Sequence, residues 1–225
     1  MTGLIAKSID KMKGLISFKR LAKRLKHPIS LIILIVLLSA CATRPPSNVG
    51  NICAIFQENP SWYKSAKRSS ERWGGPIHLP MAIMYQESGF RHDAKPPMQF
   101  FLWIIPTGRA SNAYGYSQAL KSTWARYQQE IGTRFRDRDD FSDAYDFIQW
   151  YIHKTFEVNG VSKWDYFAQY LNYHEGQGGY SRGTHNSKQW LLNVAQRVDQ
   201  RAKQYGAQMQ SCQERLDNMR TGWLW

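Results

Sequence analysis

The apolar residues of the chain recur mostly at spacings of three and four, which is the period of an amphipathic α-helix. One long helix near the C-terminus is predicted by a stripe of Leu191, Val194, Val198, Tyr205, Met209, Cys212 and Leu216. Another is predicted by Ala144, Phe147, Ile148, Tyr151 and Ile152, preceded by Asp140 and Ser142, either of which can cap it. Strand-like alternation is scarce, so we expect a mainly α fold.

Two further helices are predicted from their start signals. Pro80 occupies a first-turn position for a helix that runs from Met81 to Glu87. Ser162 and Asp165 resemble a capping box with a shorter acid, placed before a helix that opens at Tyr166.

Residues 96–106 depart from the helical pattern, because they form a continuous apolar run bounded by prolines. Such a run fits a strand or hairpin packed on the core, which we favour. The alternative is an apolar flap beside the functional site that touches membrane or substrate.

The N-terminal segment is basic and then apolar. Its uncharged run, residues 31–38, would span about 12 Å as a helix, far less than the roughly 30 Å of a bilayer core. Residues 1–40 are therefore predicted to be a signal peptide. They end in Leu-Ser-Ala before Cys41, which resembles the lipobox of bacterial lipoproteins and implies that Cys41 carries a lipid. A plain signal peptide is the alternative.

The rest of the chain divides into a tether and a folded domain. Residues 41–52 are predicted to be the lipidated Cys and a flexible tether, and residues 53–225 the domain. Cys53 and Cys212 lie near the two ends of the domain and are predicted to pair, although two separate buried thiols are an alternative. Ala42 favours the outer over the inner membrane, by resemblance to enterobacterial sorting rules, with the domain facing the periplasm.

Charge and aromatic content narrow the choice of partners. The net charge is +13, of which residues 1–40 supply +7, with eight basic residues and one acid. The remaining +6 suits a polyanionic surface, but no nucleic-acid motif is present, and we expect no nucleic-acid partner. Nine Trp and twelve Tyr exceed what packing alone needs, and aromatic surfaces commonly bind sugar rings. The histidines show no ligand spacing, so neither a metal nor a cofactor is expected.

Glu87 is the strongest candidate for chemistry. Its neighbours Met84, Tyr85 and Phe90 are apolar or aromatic, and such surroundings raise the pKa of a carboxyl group towards neutral. A carboxylic acid that keeps its proton at neutral pH can protonate a leaving oxygen. Taken alone, a Glu on a helix is more often solvated surface, so the interpretation depends on the surrounding motifs.

Three short motifs resemble those of one enzyme family and occur in the same order as in that family. Residues 87–90, Glu-Ser-Gly-Phe, resemble the E-S-x-F motif of the lysozyme-like lytic transglycosylases, the family with the SLT domain. Residues 113–118, which end in Gln118, resemble its G-L-M-Q segment, and residues 171–176 resemble its A-Y-N-x-G segment. The resemblance covers roughly Trp73 to Tyr180 and implies a single lysozyme-like domain of the goose-type lysozyme or SLT kind.

The resemblance also implies roles for single residues. Glu87 would be the catalytic acid and later the base, with Ser88 hydrogen-bonded beside it. Gln118 would contact the sugars, and Tyr173 would orient Glu87 or the reacting sugar. At three positions this sequence departs from the family's motifs: Tyr116 and Ser117 stand where the family usually has Leu and Met, and His174 replaces the usual Asn. These three residues are also candidate substrate contacts, and the sugar contacts there would differ from those of the family. The glycines that follow, Gly176, Gly178 and Gly179, are predicted to form a mobile turn through which bulky glycan approaches.

The implied activity is that of a monomeric peptidoglycan lytic transglycosylase, which acts on glycan strands without a cofactor. It cleaves between N-acetylmuramic acid and N-acetylglucosamine and leaves 1,6-anhydro ends. A goose-type-lysozyme-like hydrolase is one alternative, favoured if Asp93 or Glu175 approached Glu87 across a substrate-sized gap. We interpret Asp93 as a loop or capping residue and Glu175 as a rim residue. A non-catalytic, peptidoglycan-binding lipoprotein is the other alternative.

Overall fold

The computed structural model describes residues 44–102 and 104–219, without the side chain of Phe101. The predicted signal peptide and the predicted lipidation site, Cys41, lie outside these residues. Within the described ranges, no helix is both long enough and apolar enough to cross a membrane.

The described residues form seven helices and one two-stranded hairpin. In chain order these are α1 (Ile52–Glu58), α2 (Pro60–Trp73), α3 (His78–Ser88), β1 (Met98–Phe101), β2 (Ile105–Arg109), α4 (Lys121–Glu130), α5 (Phe141–Asn159), α6 (Tyr166–Ser181) and α7 (Gln189–Asp217). The prediction of a mainly α fold is confirmed.

Helix α5 lies at the centre of the core. It begins after Asp140, whose side chain accepts a hydrogen bond from the backbone N–H of Asp143, so Asp140 and not Ser142 is the cap. The helix is buried on nearly every side, as its high apolar content requires, and α2, α3, α4 and α6 all pack against it. Trp150 and Phe147 are among its fully buried side chains.

Helix α7 carries the predicted apolar stripe. The stripe is buried against α1, α3 and α6, except that Val194 is only partly buried. Cys212, near the end of the stripe, forms a disulfide with Cys53 of α1, and the two Cα atoms are 6.1 Å apart. The predicted disulfide is therefore confirmed, and it joins the two ends of the domain.

The second half of the predicted tether is part of the folded structure. The backbone N–H and the hydroxyl of Ser47 both donate to the carboxylate of Glu58, at 2.9 and 2.8 Å. The carbonyls of Val49 and Gly50 accept hydrogen bonds from Tyr205 and Gln208 of α7. The folded part of the chain therefore starts before Cys53, and the expected flexibility does not apply to residues 47–51.

The predicted start signals of α3 and α6 need adjustment. Pro80 does lie in the first turn of α3, but the helix begins two residues earlier, at His78. The capping box before α6 is wrong as predicted, because Asp165 itself is the cap and accepts from the N–H of Ala168. The hydroxyl of Ser162 instead accepts from the N–H of Trp164, which is a local turn contact.

The predicted mobile turn at the glycines is also wrong. Gly178 and Gly179 lie within α6, and the helix leaves helical geometry only at Gly176, with φ 75° and ψ 156°. Glycine tolerates this positive φ, so the chain kinks there and then continues as a helix. The hydroxyl of Tyr151 donates to the carbonyl of Asn172, one turn before the kink.

Strands β1 and β2 form an antiparallel hairpin in which Phe101 pairs with Ile105 and Met98 with Arg109. Its apolar side chains are exposed to solvent, so the prediction that residues 96–106 pack on the core is wrong. Periodicity cannot distinguish an exposed apolar run from a buried one, because both lack alternation.

Candidate active site

Glu87 lies in the last turn of α3, where the chain reverses direction sharply. The helix ends at Ser88, and both Gly89 and Phe90 adopt left-handed backbone conformations, with φ 59° and 61°. A non-glycine residue in this region is uncommon and costs energy, which the burial of the Phe90 ring offsets. The turn leaves Glu87 at the end of a rigid, buried helix.

Ser88 holds this turn against the second motif. Its buried hydroxyl lies 2.8 Å from the carbonyl oxygen of Tyr116 and 3.1 Å from that of Met84. Both bonds therefore go to backbone carbonyls beside Glu87, and neither goes to its carboxyl group. Ser88 therefore positions the wall behind the site.

The second motif is a tight loop held by backbone bonds. Gly115 has φ 74°, donates its N–H to the carbonyl of Ala94, and lies directly against the backbone of Arg138. Gln118 also has a positive φ, 49°, and its amide donates to the carbonyls of Ala94 and Gly115, both at 2.9 Å. The loop thereby fixes the Gln118 side chain at the edge of the site.

Helix α6 supplies two tyrosines one turn apart. Tyr170 donates a hydrogen bond of 3.0 Å to Oε1 of Glu87. Tyr173, which the sequence analysis expected beside Glu87, donates at 2.6 Å to the carbonyl oxygen of Ser117. The direct partner of the carboxyl group is therefore Tyr170, which sequence reasoning missed. The spacing of three residues before Tyr173 was the available signal, since such residues share one face of a helix.

The surroundings of Glu87 change its protonation. Burial raises its pKa to about 7, and the hydrogen bond from Tyr170 lowers it in part. This is the direction expected from its apolar neighbours. At neutral pH a substantial fraction of Glu87 is protonated and can donate a proton.

Glu87 faces a cleft of about 530 Å³. The predicted site residues Gln118, Tyr173 and His174 line it as well, while Ser88, Tyr116 and Ser117 are buried behind its wall. The remaining lining residues are Pro96, Ser111, Ala113, Ala119, Leu120, Thr123, Phe147, Tyr151, Glu175 and Gly176. The structure thus brings the three motifs together around one opening.

Glu175 is the second carboxyl group in the cleft, and its pKa is shifted in the opposite direction to that of Glu87. Its side chain is only 5% exposed and accepts hydrogen bonds from Lys188 at 2.7 Å, from His174 at 3.0 Å and from Thr184. Burial alone would raise its pKa, but these bonds, with Lys188 foremost, lower it to about 2. Glu175 therefore stays ionised and is neutralised by Lys188 within the wall of the cleft. Asp93, the other candidate, is exposed in the turn after α3 and does not line the cleft.

One exposed aromatic lies next to the cleft. Trp190 is 56% exposed at the start of α7, and its ring centroid is 5.2 Å from that of His174 in an edge-on arrangement. Sequence reasoning did not single it out, because it lies outside the three motifs. In residues 44–102 and 104–219, no three His, Cys, Asp or Glu side chains are grouped as metal ligands.

Together these features define a helical domain in which one protonatable carboxyl group faces an open cleft, the arrangement of lysozyme-like domains that act on glycans. The family model described as the transglycosylase SLT domain matches residues 29–212, and the chain belongs to that family. The predicted family and the lysozyme-like fold are thereby confirmed. Membership of this family implies that the domain binds the glycan strands of peptidoglycan. A comparison with curated proteins finds no match.

Proposed function

We propose that the domain is a peptidoglycan lytic transglycosylase in which Glu87 is the catalytic acid and base. It cleaves the β-1,4 bond between N-acetylmuramic acid and N-acetylglucosamine and leaves 1,6-anhydro ends. The observation that carries the proposal is the placement of the Glu87 carboxyl group, which lines the cleft and accepts a hydrogen bond from Tyr170; its burial, which raises its pKa to about 7, supports the same role.

The first half of the reaction uses Glu87 as an acid. Its proton moves to the bridging oxygen while the bond between that oxygen and C1 of the muramoyl residue breaks. The carbonyl oxygen of the muramoyl N-acetyl group stabilises the positive charge that develops at C1. Tyr170 donates to the carboxylate that Glu87 becomes, which favours this charged state.

In the second half, Glu87 acts as a base. The carboxylate removes the proton of the muramoyl C6 hydroxyl, and the oxygen forms a bond to C1, which closes the 1,6-anhydro ring. No water is consumed, and Glu87 ends the cycle protonated. A pKa near 7 suits both halves, since a group that must give and then take a proton works best near the ambient pH.

The state of Glu175 bears on the alternative hydrolase. Most glycoside hydrolases use a second carboxylate, which acts as nucleophile or activates water. Glu175 is held by Lys188, His174 and Thr184, so its oxygens already accept bonds within the wall. This supports a reaction in which the substrate supplies its own nucleophile.

The test is to digest purified sacculi with the fragment that starts at Arg44 and to identify the products by mass spectrometry. This fragment contains the whole buried core and both partners of the disulfide, and it forms a compact unit of its own. Anhydro-muramoyl ends would support the lyase, whereas reducing ends would show a hydrolase.

A matched pair of substitutions assigns the chemistry to Glu87. Glu87→Gln keeps the shape of the side chain and should abolish turnover while leaving binding to sacculi intact. Glu214→Gln changes an exposed Glu of α7 and should leave turnover as it is. Unchanged glycan release by Glu87→Gln would overturn the mechanism, whereas binding to sacculi without any glycan release by the parent would favour a non-catalytic, peptidoglycan-binding role.

We also propose that Cys41 is lipidated and anchors a monomeric domain to the periplasmic face of the outer membrane. The support is the sequence of the lipobox and the apolar run before it. Labelling cells with radioactive palmitate and separating their membranes tests the anchor, because Cys41→Ser should lose the label. Label in the inner-membrane fraction would correct the location, and elution of the fragment from Arg44 as a dimer would correct the oligomeric state.

A further inference from the structure

The hairpin formed by β1, β2 and the turn between them, residues 98–109, presents its apolar side chains to solvent; we refer to it as the apolar hairpin. Leu102 at the turn is 68% exposed and Ile104 is 80% exposed. Met98, Phe100 and Ile105 are exposed as well. Large apolar side chains clustered at one exposed place mark an interaction surface, and a two-stranded hairpin is only marginally stable in water by itself.

The distribution of charge indicates what the apolar hairpin contacts. No charged residue occurs from Pro96 to Gly108. Lys95 and Arg109 stand at the two ends of this uncharged stretch, and both are exposed. Since Arg109 donates to the carbonyl of Pro96, its cationic group lies at the base of the hairpin beside the start of the stretch. An apolar tip above a basic base matches the boundary between acyl chains and anionic headgroups.

A glycan strand fits the aliphatic side chains of the hairpin, Leu102, Ile104 and Ile105, poorly. Sugar hydroxyls need hydrogen-bond donors and acceptors, and the side chains of Leu102, Ile104 and Ile105 offer neither. The polar partners for a glycan lie instead in the cleft, around Glu87 and Gln118.

We propose that the tip of the apolar hairpin inserts into the surface of a lipid bilayer with anionic headgroups, and that Lys95 and Arg109 bind the lipid phosphates. The strands have four and five residues, so the hairpin extends about 13 Å at 3.3 Å per residue. That length reaches through the headgroups to the upper acyl chains, the depth at which interfacial elements lie.

The chain before the domain has the reach that this contact needs. Residues 47–51 are packed on the domain, which leaves five residues, 42–46, between the predicted lipid attachment at Cys41 and Ser47. The six Cα–Cα steps from Cys41 to Ser47 extend at most about 20 Å, which is comparable with the radius of gyration of a domain of this size, on the order of 16 Å. A domain anchored at Cys41 would therefore stay at the bilayer. This step rests on the proposed anchor, whereas the insertion itself can be tested without it.

The apolar hairpin adjoins the rim of the cleft. Pro96, at the base of the apolar hairpin, also lines the cleft that contains Glu87. Insertion of the tip would set the orientation of the cleft relative to the membrane. It would thereby select which glycan strands enter the cleft.

The experiment measures sedimentation of the fragment from Arg44 with vesicles of phosphatidylethanolamine and phosphatidylglycerol, compared with phosphatidylcholine vesicles. We expect binding to the anionic vesicles that weakens with salt, and at least tenfold weaker binding for the double variant Leu102→Asp/Ile104→Asp. Phe135→Ser is the matched control, because Phe135 is 93% exposed but lies outside the hairpin, and it should bind like the parent.

Four outcomes would overturn the proposal. They are absence of binding by the parent fragment, equal binding by the double variant, and equal binding to neutral and anionic vesicles. The fourth is a fragment that self-associates through the hairpin without binding lipid, shown by a change in elution volume in the double variant.

Digestion of sacculi free of membrane separates this inference from the proposed function. The double variant should digest them within twofold of the parent rate and should unfold at the same temperature. A loss of digestion with intact vesicle binding would make the apolar hairpin a glycan contact instead.

Discussion

The hydroxyl of Tyr170 donates a hydrogen bond of 3.0 Å to Oε1 of Glu87, from α6 to the end of α3. The bond favours the ionised form of a carboxyl group whose burial favours the protonated form. These opposed effects leave the pKa of Glu87 at about 7, where one group can serve as acid and as base.

Removal of this hydroxyl should therefore raise the pKa of Glu87 further. For Tyr170→Phe we expect the alkaline limb of the pH–rate profile on sacculi to shift to higher pH by as much as about one unit. The reason is that a hydrogen bond to a charged group contributes roughly 1.5 kcal/mol. The maximal rate should fall about tenfold, because the carboxylate formed during the reaction loses a donor.

Tyr145→Phe is the control for this prediction. It removes another buried hydroxyl, which donates to the carbonyl of Ile77 and not to Glu87. Its alkaline limb should coincide with that of the parent. An unchanged limb in Tyr170→Phe would show that the bond to Glu87 does not tune the acid.

The raised pKa of Glu87 also predicts how stability depends on pH. The folded pKa of about 7 lies above the ordinary value of 4.5, so the folded domain loses stability as the pH rises through this range. Gln cannot ionise, so Glu87→Gln should be more stable than the parent at pH 8 and similar to it at pH 4. We expect a gain of about 2 kcal/mol at pH 8, below the full value of the shift because the carboxyl group borders an open cleft.

Urea unfolding of the fragment from Arg44 at pH 4, 6 and 8 measures this difference. Glu214→Gln, at an exposed position of α7, is the matched control for the substitution itself and is unfolded at the same three pH values. A Glu87→Gln difference that is the same at all three pH values would mean that Glu87 is not desolvated.

Local sequence patterns predicted much of the helical fold. The stripe of α7 and the centre of α5 followed directly from apolar spacing, because burial of one face is what stabilises such helices. The raised pKa of Glu87 was also predictable, since the apolar residues Met84 and Phe90 lie within three residues of it. These features depend on neighbours along the chain.

Features that depend on tertiary placement were not predictable. Whether Tyr170 or Tyr173 reaches Glu87 is decided by the rotation of α6 about its axis, which the motif does not encode. The exposure of the apolar hairpin depends on the absence of a covering element in the described part of the chain. The kink at Gly176 needed φ 75°, and a glycine in a helical pattern does not reveal whether this freedom is used.

Gly115 is a position where the backbone leaves no room for a side chain. A Cβ atom there would lie 2.0 Å from the carbonyl oxygen of Arg138, and φ is 74°. Gly89 has a similar φ of 59°, but a Cβ atom would meet nothing within 4 Å. We expect Gly115→Ala to lower the free energy of unfolding by more than about 3 kcal/mol, and Gly89→Ala by about 1 kcal/mol from backbone strain alone.

Urea unfolding separates the two glycine variants. Turnover of sacculi should also fall in Gly115→Ala, because the loop that holds Gln118 must shift. Equal destabilisation by both substitutions would show that Arg138 can move aside at little cost.

Trp190 offers an exposed ring next to His174 at the cleft. We expect Trp190→Ala to raise KM on soluble glycan fragments about tenfold with little change in kcat, because the lost apolar contact contributes roughly 1.5 kcal/mol. Trp164→Ala is the matched control, since Trp164 is also exposed but contacts His78, away from the cleft. Similar KM values for both variants would exclude Trp190 from substrate binding.

The disulfide between Cys53 and Cys212 closes a loop with a sequence separation of 159 residues. A cross-link over so long a loop restricts the unfolded chain strongly, so we expect the Cys53→Ala/Cys212→Ala variant to lose about 3 to 5 kcal/mol of unfolding free energy. Urea unfolding of the fragment from Arg44, which lacks Cys41, measures this with and without reductant. The parent should drop to the level of the variant when reduced, and the variant should not respond. A parent that keeps its midpoint in reductant while the variant loses stability would mean that packing around the two side chains, and not the cross-link, stabilises the contact between α1 and α7.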